Sequence, residues 1–199
     1  MKKNKDTLYK ILRPIFTFLF KAYYNPTVVG KENIPLEGSG VLAGNHKHAL
    51  DPIFVDIGTK RVVHSLAKKS LHDSPVGWFF KSVGTIPVDL HAARNKEALD
   101  AAVDYLKQGC LVYVAPEAKR NYTEEILLPF KVGSVVMAMR SDSRITPFAI
   151  TGDYKFRSKN LKITFGEPID VSGMDVPEAN QLLFDTIKKM LIQDLVIDN

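Results

Sequence analysis

The sequence predicts an α/β fold in which helices cover a mixed, partly parallel central sheet, with an N-terminal amphipathic helical appendage. From residue 27 onward, short apolar runs alternate with segments of helical apolar spacing, which is typical of layered α/β proteins. The chain has 199 residues, of which 45% are hydrophobic and 25% charged, and this is enough to bury the core of one domain. We therefore interpret residues 1–26 as the helical appendage and residues 27–199 as a single domain.

The individual elements follow from the same patterns. Strands are predicted where apolar runs are bounded by turn residues, in the segments TVVG, GVLAG, RVVHSLAK, GTIPVD, CLVYVA, ITPFAI and LKITFG. Helices are predicted for residues 52–58, 76–82, 93–108, 132–139 and 177–194. No repeat or low-complexity tract interrupts this alternation, so no further domain boundary is expected.

The N-terminal region has the pattern of an amphipathic helix rich in leucine, isoleucine and phenylalanine. Its polar side is formed at helical spacing by Lys10, Arg13, Thr17 and Lys21. The run between Arg13 and Lys21 has seven residues, which is too short for a spanning helix, and no signal-peptide cleavage site follows it. We expect residues 8–23 to lie on an anionic membrane surface, as a peripheral or monotopic anchor at the cytoplasmic face. The alternative is that the apolar side packs on the domain.

Charge and cysteine content constrain the partners. The formal net charge is +5 at pH 7, which suits an anionic substrate or membrane, although solubility alone would also explain it. No nucleic-acid partner is expected. Cys110 is the single cysteine, so no disulfide can form within the chain and a reducing compartment is expected.

The segment GNHKHALDP, residues 44–52, concentrates reactive side chains after the predicted strand GVLAG. Loops after the carboxyl ends of strands are where open α/β sheets bind ligands. A histidine that acts as a general base needs a group to hold its other ring nitrogen. Asp51 stands five residues after His46 and three after His48, so either histidine could pair with it. Asp51 could also be only the N-cap of a helix that begins at Pro52.

Two other kinds of site are less well supported. A metal site would use His46, His48 and Asp51, but zinc takes four ligands and the other histidines are scattered, so no metal is expected. A serine hydrolase would need the nucleophile motif G-x-S-x-G, which does not occur. Without a nucleophile, direct transfer aided by a general base is favoured over a covalent intermediate.

A second polar loop, VAPEAKRNY, ends the predicted strand CLVYVA. Glu117, Lys119 and Arg120 cluster in this loop, and Lys131 precedes a predicted helix N-terminus. Basic side chains near a strand end, together with a helix N-terminus, suit a phosphate monoester. A solvated charged loop is the alternative.

Four stretches together resemble the glycerolipid acyltransferase family, and within it the 1-acyl-sn-glycerol-3-phosphate acyltransferases. The first carries a His-x4-Asp motif at His46 and Asp51, and the four stretches are VVGKENIPLEGSGVLAGNHKHALDP, VGTIPVD, APEAKRNYTEEILLPFKVGS and ITPFAITGDY. The resemblance runs from about Val28 to Ile169. A lone His-x4-Asp motif is weak, whereas four blocks in the family's order are specific.

The resemblance implies an enzyme that moves a fatty acyl group from acyl-CoA or acyl-carrier protein to the hydroxyl of lysophosphatidic acid or a similar lysophospholipid. The product would be phosphatidic acid, in phospholipid biosynthesis. Residues 27–199 would be the catalytic domain, in which His46 deprotonates the hydroxyl and Asp51 holds His46. No metal or resident cofactor would be required. The substrate-binding residues would be Asn45, Arg94, Glu117, Lys119, Arg120, Lys131 and Gly133.

The sequence departs from the family's pattern at two places. Leu90 stands where family members commonly have an arginine that helps to hold the acceptor's phosphate, and His91 or Arg94 would have to replace it. In the third stretch, Ala118 and Lys119 stand in place of a Gly-Thr pair, and Ala115 stands in place of the leading Phe. These departures leave open the same fold acting on glycerol 3-phosphate, another lysolipid or water. The net charge and the N-terminal helix leave open a second alternative, a peripheral membrane lipid-binding protein without enzymatic activity.

Overall fold

Helices and strands alternate along the chain in the computed structural model, which describes residues 7–89 and 95–197. The strands are β1 (Thr27–Val29), β2 (Gly40–Gly44), β3 (Val63–Lys68), β4 (Ile86–Val88), β5 (Leu111–Val114), β6 (Ile145–Thr151) and β7 (Lys162–Phe165). The helices are α1 (Thr7–Tyr24), α2 (Asp51–Ile57), α3 (Lys69–His72), α4 (Gly77–Ser82), α5 (Lys96–Lys107), α6 (Gly133–Ser141) and α7 (Val176–Ile197).

Each of the seven predicted strands occurs in the structure, and the predicted fold class is confirmed. The predicted helices correspond to α1, α2, α4, α5, α6 and α7, whereas the short helix α3 was not predicted. Helix α5 is described from Lys96 onward. The first residues predicted for it, Ala93 and Arg94, lie outside the described residues.

The strands form one sheet in the order β1-β7-β6-β2-β5-β3-β4. The pairs are parallel, except that β6 and β7 are antiparallel. Because β2, β5 and β6 run in the same direction side by side, their last residues, Gly44, Val114 and Thr151, lie along one edge of the sheet. We call this the carboxyl edge.

Helices cover both faces of the sheet because successive strand residues point to opposite sides. Val41 and Ala43 of β2 belong to a buried cluster that includes side chains of α5, α6 and α7. Leu42, between them, belongs to a second cluster, with Phe20 of α1 and Phe54 of α2. The N-terminal helix α1 therefore lies on the same face of the sheet as α2.

Helix α1 packs on the domain through a narrow stripe of its surface. Tyr9 and Phe20 are buried, and Nη2 of Arg13 donates a hydrogen bond of 2.7 Å to the backbone oxygen of Asp56. Arg13, which the sequence places on one side of the helix with Lys10, Thr17 and Lys21, therefore turns its guanidinium toward the domain. Arginine at this position reaches a backbone carbonyl of α2 that helical periodicity alone could not reveal.

The apolar residues of α1 mostly point away from the domain. The exposed large apolar side chains of this helix are Ile11, Ile15, Phe16, Phe18, Leu19 and Tyr23. The interpretation in which this apolar side packs on the domain does not account for them. In the described part of the chain, no helix combines the length and the apolar character needed to cross a bilayer.

Candidate active site

The last residue of β2, Gly44, packs closely against Phe148 of β6, and the loop with the histidines begins directly after it. A Cβ atom at Gly44 would overlap the ring and the carbonyl oxygen of Phe148, so a glycine is required there. The buried Asn45 follows, and its Nδ2 donates to the backbone oxygen of Ile150 (2.9 Å) while its Oδ1 accepts from the same residue's N–H (2.7 Å). The side-chain amide of Asn45 thus anchors the loop to β6, and its role in substrate binding stays a prediction.

His46 and Asp51 form a hydrogen-bonded pair at the carboxyl edge. Nδ1 of His46 lies 2.8 Å from Oδ2 of Asp51, and the His46 side chain is 24% exposed while that of Asp51 is fully buried. A carboxylate can only accept, so Nδ1 carries the proton and Nε2 presents its lone pair. Among the described residues, Nε2 has no hydrogen-bond partner. This is the arrangement that a general base requires.

Further donors surround the carboxylate of Asp51. Oδ2 also accepts from the backbone N–H groups of Lys47 (2.8 Å) and His48 (2.9 Å). Oδ1 accepts from the hydroxyl of Tyr154 (2.5 Å). A carboxylate without solvent contact needs such donors to offset its desolvation, so the loop and Tyr154 together hold Asp51 in place.

Two interpretations left open by the sequence are decided by this geometry. Asp51 is the first residue of α2, Leu50 occupies the N-cap position, and no side chain of the described residues caps the helix. The N-cap interpretation of Asp51 is therefore wrong, because its carboxylate turns back to the preceding loop. The ring of His48 stacks on Tyr154 with 4.3 Å between centroids, and it is the ring of His46 that bonds to Asp51.

Tyr154 was not predicted as a site residue, although it is the last residue of the stretch ITPFAITGDY. It lies three residues beyond the end of β6, and its ring meets those of Phe20, Tyr24 and Phe54 edge-on, at centroid distances from 5.6 to 6.3 Å. Burial raises the pKa of Tyr154, and the charge of Asp51 raises it further. The phenol therefore stays protonated and acts as a donor at all physiological pH values.

Glu117 fastens the second polar loop to the first. Its Oε1 accepts from the backbone N–H of His46 and its Oε2 from that of Leu128, both at 2.8 Å. Burial raises the pKa of Glu117, and these two N–H groups oppose the shift. A further bond joins the loops, from the N–H of Asn121 to the backbone oxygen of His46 (3.2 Å). Both carboxylate oxygens of Glu117 are engaged, and its predicted contact with substrate stays a prediction.

The three predicted cations lie exposed on this second loop and its continuation. The backbone N–H of Lys131 donates to the carbonyl of Pro116 (2.9 Å), which brings Lys131 and the start of α6 at Gly133 next to the loop. The guanidinium of Arg120 lies 5.3 Å from the ring centre of Tyr122. Within the described residues, Lys119, Arg120 and Lys131 form no ion pair with a carboxylate. Their positive charges are therefore available to an anionic ligand.

The remaining residues considered in the sequence lie either outside the described residues or elsewhere in the fold. Leu90, His91 and Arg94 lie outside the described residues, so their predicted roles are untested. His64 and His72 bond to Gly84 and Thr85, respectively, on the β3–β4 side of the fold. In residues 7–89 and 95–197, no group of three or more His, Cys, Asp or Glu side chains is arranged to hold a metal ion.

Comparison with known sequences finds relatives that are named for an activity. The chain is 28% identical over 148 residues to the 1-acyl-sn-glycerol-3-phosphate acyltransferase of Bacillus subtilis, in a match that covers 71% of this chain and 72% of that protein. It is 30% identical over 141 residues to the protein of the same name from Borreliella burgdorferi, covering 70% of this chain and 56% of that one. The chain thus spans a little over half of the second relative.

A comparison of structures agrees with the fold. The crystal structure of the 1-acyl-sn-glycerophosphate (LPA) acyltransferase PlsC from Thermotoga maritima matches 97% of this chain and 83% of its own, with a TM-score of 0.76 and 22% sequence identity. The family model described as Acyltransferase matches residues 25–151, which are more than half of the chain and include both polar loops. The predicted family is confirmed: the chain belongs to the acyltransferase family.

Proposed function

We propose that this protein transfers a fatty acyl group from a thioester donor to the hydroxyl of lysophosphatidic acid, giving phosphatidic acid. The observation that carries the proposal is the pair formed by His46 and the buried Asp51, in which Nδ1 and Oδ2 lie 2.8 Å apart. The second ring nitrogen of His46 has no hydrogen-bond partner among residues 7–89 and 95–197. The names of the similar proteins from Bacillus subtilis and Borreliella burgdorferi support the choice of acceptor.

The pair can catalyse acyl transfer without a covalent enzyme intermediate. Nε2 of His46 takes the proton of the acceptor hydroxyl while the hydroxyl oxygen attacks the thioester carbonyl carbon. The new C–O bond forms, the C–S bond breaks, and the departing thiolate takes the proton back from the imidazolium. Asp51 holds the imidazole in the required tautomer and stabilises its protonated form. Such general-base catalysis contributes roughly 10²–10⁴-fold to the rate.

The acceptor's phosphate fits the second polar loop. Lys119, Arg120 and Lys131 are exposed cations on a segment bonded directly to the backbone of His46. The N-terminus of α6, which begins at Gly133, adds N–H groups suited to an anion. Because Glu117 and Asn121 in this loop bond to the backbone of His46, a phosphate held here would bring the acceptor to the loop that carries His46.

The developing negative charge on the thioester oxygen needs a donor as well. The backbone N–H of Lys47 is already bonded to Asp51. The exposed ammonium group of Lys47 and the backbone N–H groups near Gly44 and Asn45 are the candidates for stabilising the oxyanion.

The outward face of α1 supports a location on an anionic membrane, at its cytoplasmic face. Residues 8–23 present exposed apolar side chains such as Phe18, which is 70% exposed, and Lys10 and Lys21 lie beside that face. This pattern suits a helix lying in the interface, where a lysolipid is accessible. In this proposal residues 1–26 are the membrane region, residues 27–199 the catalytic domain, and acyl-CoA or acyl-carrier protein the donor. No metal or resident cofactor is needed.

A panel of acceptors tests the proposal. Purified protein is incubated with acyl-CoA and either lysophosphatidic acid, glycerol 3-phosphate, lysophosphatidylcholine or no acceptor, and the products are identified by mass spectrometry. We expect phosphatidic acid from lysophosphatidic acid and little product from the others. The variant His46→Ala should lose roughly 10²–10⁴-fold in rate while unfolding at the same temperature as the wild type.

Other results would overturn parts of the proposal. Fatty acid released equally with and without any acceptor would indicate a thioesterase. Faster acylation of glycerol 3-phosphate would change the acceptor. A His46→Ala variant that keeps most of the activity would remove the general base.

A further inference from the structure

We propose that the loop between β6 and β7, residues 152–160, is a second membrane contact that binds anionic lipid head groups beside α1. This inference rests on the proposed function only in that α1 is taken to lie on the membrane. We call residues 152–160 the β6–β7 loop.

The β6–β7 loop continues the outward apolar face of α1. The ring of Phe156 is 65% exposed, and it meets the half-exposed ring of Tyr23 near the end of α1 at a centroid distance of 5.1 Å. The backbone N–H of Arg157 donates to the carbonyl of Tyr23 (2.6 Å). Through this contact the ring extends the exposed apolar side of α1 into one continuous surface, and continuous exposed apolar surfaces commonly mark sites of interaction with a protein or a membrane.

Basic side chains flank Phe156 on both sides. Lys155, Arg157 and Lys159 are exposed, and Lys155 pairs with Asp153 (3.1 Å). In the described part of the chain, Arg157 and Lys159 form no ion pair with a carboxylate. A ring flanked by cations matches the surface of an anionic bilayer, since the ring enters the interface and the cations meet the head groups.

The backbone of the β6–β7 loop is strained at Arg157, next to the exposed ring of Phe156. Arg157 has a φ of 48°, in the left-handed region that residues other than glycine seldom adopt. The bond from its N–H to Tyr23 keeps that conformation against α1. Strain of this kind is often kept where a segment has a function.

The position of the β6–β7 loop favours a lipid bilayer as the occupant. Tyr154, two residues before Phe156, donates to the carboxylate of Asp51. A bilayer that touched Phe156 would therefore lie beside the carboxyl edge and His46. A lysolipid leaving that bilayer would reach the pair of His46 and Asp51 without crossing open water.

Sedimentation with vesicles tests the proposal, using phosphatidylcholine alone or mixed with phosphatidylglycerol. The double variant Arg157→Gln/Lys159→Gln removes two cations, and Phe156→Ser removes the ring. The control Lys107→Gln/Lys189→Gln makes the same charge change on α5 and α7, which cover the opposite face of the sheet. Thermal unfolding confirms that each variant is folded.

We expect the wild type to bind the phosphatidylglycerol vesicles more tightly than the neutral ones. Each cation removed from an anionic surface should weaken binding about fivefold, so Arg157→Gln/Lys159→Gln should bind these vesicles at least tenfold more weakly. Phe156→Ser should bind both kinds of vesicle more weakly, and the control should bind as the wild type does.

The other outcomes separate this inference from the proposed function. If Phe18→Ser in α1 abolishes binding while the variants of the β6–β7 loop bind normally, the loop is not a contact but the role of α1 stands. If the wild type binds neither kind of vesicle, both membrane contacts are wrong. If Phe156→Ser converts a dimer into a monomer in light scattering and leaves vesicle binding unchanged, the loop joins copies of this chain instead.

Discussion

The hydroxyl of Tyr154 donates a hydrogen bond of 2.5 Å to Oδ1 of Asp51, the carboxylate oxygen that His46 does not use. Phe20 and Tyr24 of α1 pack edge-on against the ring of Tyr154. The N-terminal helix therefore supports a residue that in turn holds the partner of the general base. Removing α1 would disturb the site as well as any attachment to a membrane.

Tyr154→Phe keeps the ring and removes only this donor. We expect kcat to fall about tenfold, because a less constrained Asp51 positions His46 less accurately and 1.4 kcal/mol of lost stabilisation is a factor of ten. The KM for lysophosphatidic acid should change little. The free energy of unfolding should fall by about 1–3 kcal/mol, since a buried charged acceptor loses a donor. Steady-state kinetics and urea unfolding measure the two effects.

Tyr9→Phe is the matched control. Tyr9 is a buried residue of α1, and its hydroxyl accepts a hydrogen bond from the N–H of Val63 (3.3 Å). It lies near the first residue of α1, whereas Tyr154 packs near the last residues of this helix. This variant should lose stability and keep its kcat. If both variants lose similar stability and both keep kcat, Tyr154 supports the fold and does not position Asp51.

Arg120→Gln tests the phosphate site. The guanidinium is exposed and free of carboxylate partners among the described residues, so its loss should leave the fold unchanged. A charge-assisted bond to phosphate is worth about 1.5–3 kcal/mol, so the KM for lysophosphatidic acid should rise by about ten- to a hundredfold, with kcat nearly constant. Arg140→Gln, whose arginine pairs with Asp100 on the helical face away from the site, should change neither. A change in the KM for acyl-CoA alone would assign Arg120 to the donor.

Local patterns explain why the sequence predicted the strands and the catalytic pair. Apolar runs between turn residues mark each strand, and the five-residue spacing of His46 and Asp51 lets one loop bring them together. Tyr154 could not be found in this way, because 103 residues separate it from Asp51. The two meet only because β6 lies next to β2 in the sheet.

The contacts of buried polar residues near the site could not be predicted from the sequence either. Glu117 and Asn45 are predicted to bind substrate, and that role stays a prediction. What the sequence did not reveal is that both side chains bond to backbone groups far away in sequence, at His46 and Ile150 respectively. The partners of a buried polar side chain depend on which strands are neighbours, and a single sequence does not state that order. In α1, likewise, helical periodicity defined the faces but not which of them meets the domain, so the bond from Arg13 to Asp56 was not predicted.

Asp56 should make the stability of the protein depend on pH. Its Oδ1 is enclosed with no hydrogen-bond partner in the described part of the chain. Burial raises the pKa of Asp56 from 3.8 to about 7, against the opposing effects of Tyr9 and Arg13. The folded protein thus keeps a proton that the unfolded chain releases. The free energy of unfolding should fall as the pH rises from about 4 through about 7, by about 2–4 kcal/mol, and then level off.

Asp56→Asn removes this dependence. Its stability should match that of the wild type near pH 4 and exceed it increasingly up to pH 8, as measured by urea unfolding at a series of pH values. Asp185→Asn, on the exposed side of α7, should follow the wild type throughout. Parallel curves for Asp56→Asn and the wild type would show that Asp56 ionises normally in the folded protein.

Ala118 stands where the family's pattern has glycine, and its backbone conformation indicates how this residue affects the free energy of unfolding. The φ of Ala118 is 57°, in the left-handed region. This conformation destabilises a residue with a Cβ atom by roughly 1–2 kcal/mol. Glycine adopts it without that strain but destabilises the folded state by roughly 0.5–1 kcal/mol, because it loses more conformational entropy on folding. Ala118→Gly should therefore raise the free energy of unfolding by up to about 1 kcal/mol. Ala115→Gly, in the same loop but without a positive φ, should lower it. If urea unfolding shows both variants destabilised, Ala118 is not left-handed in solution. If the signs differ as expected, Ala118 keeps the backbone path that a glycine would take, and the change from glycine to alanine is a matter of stability at this position.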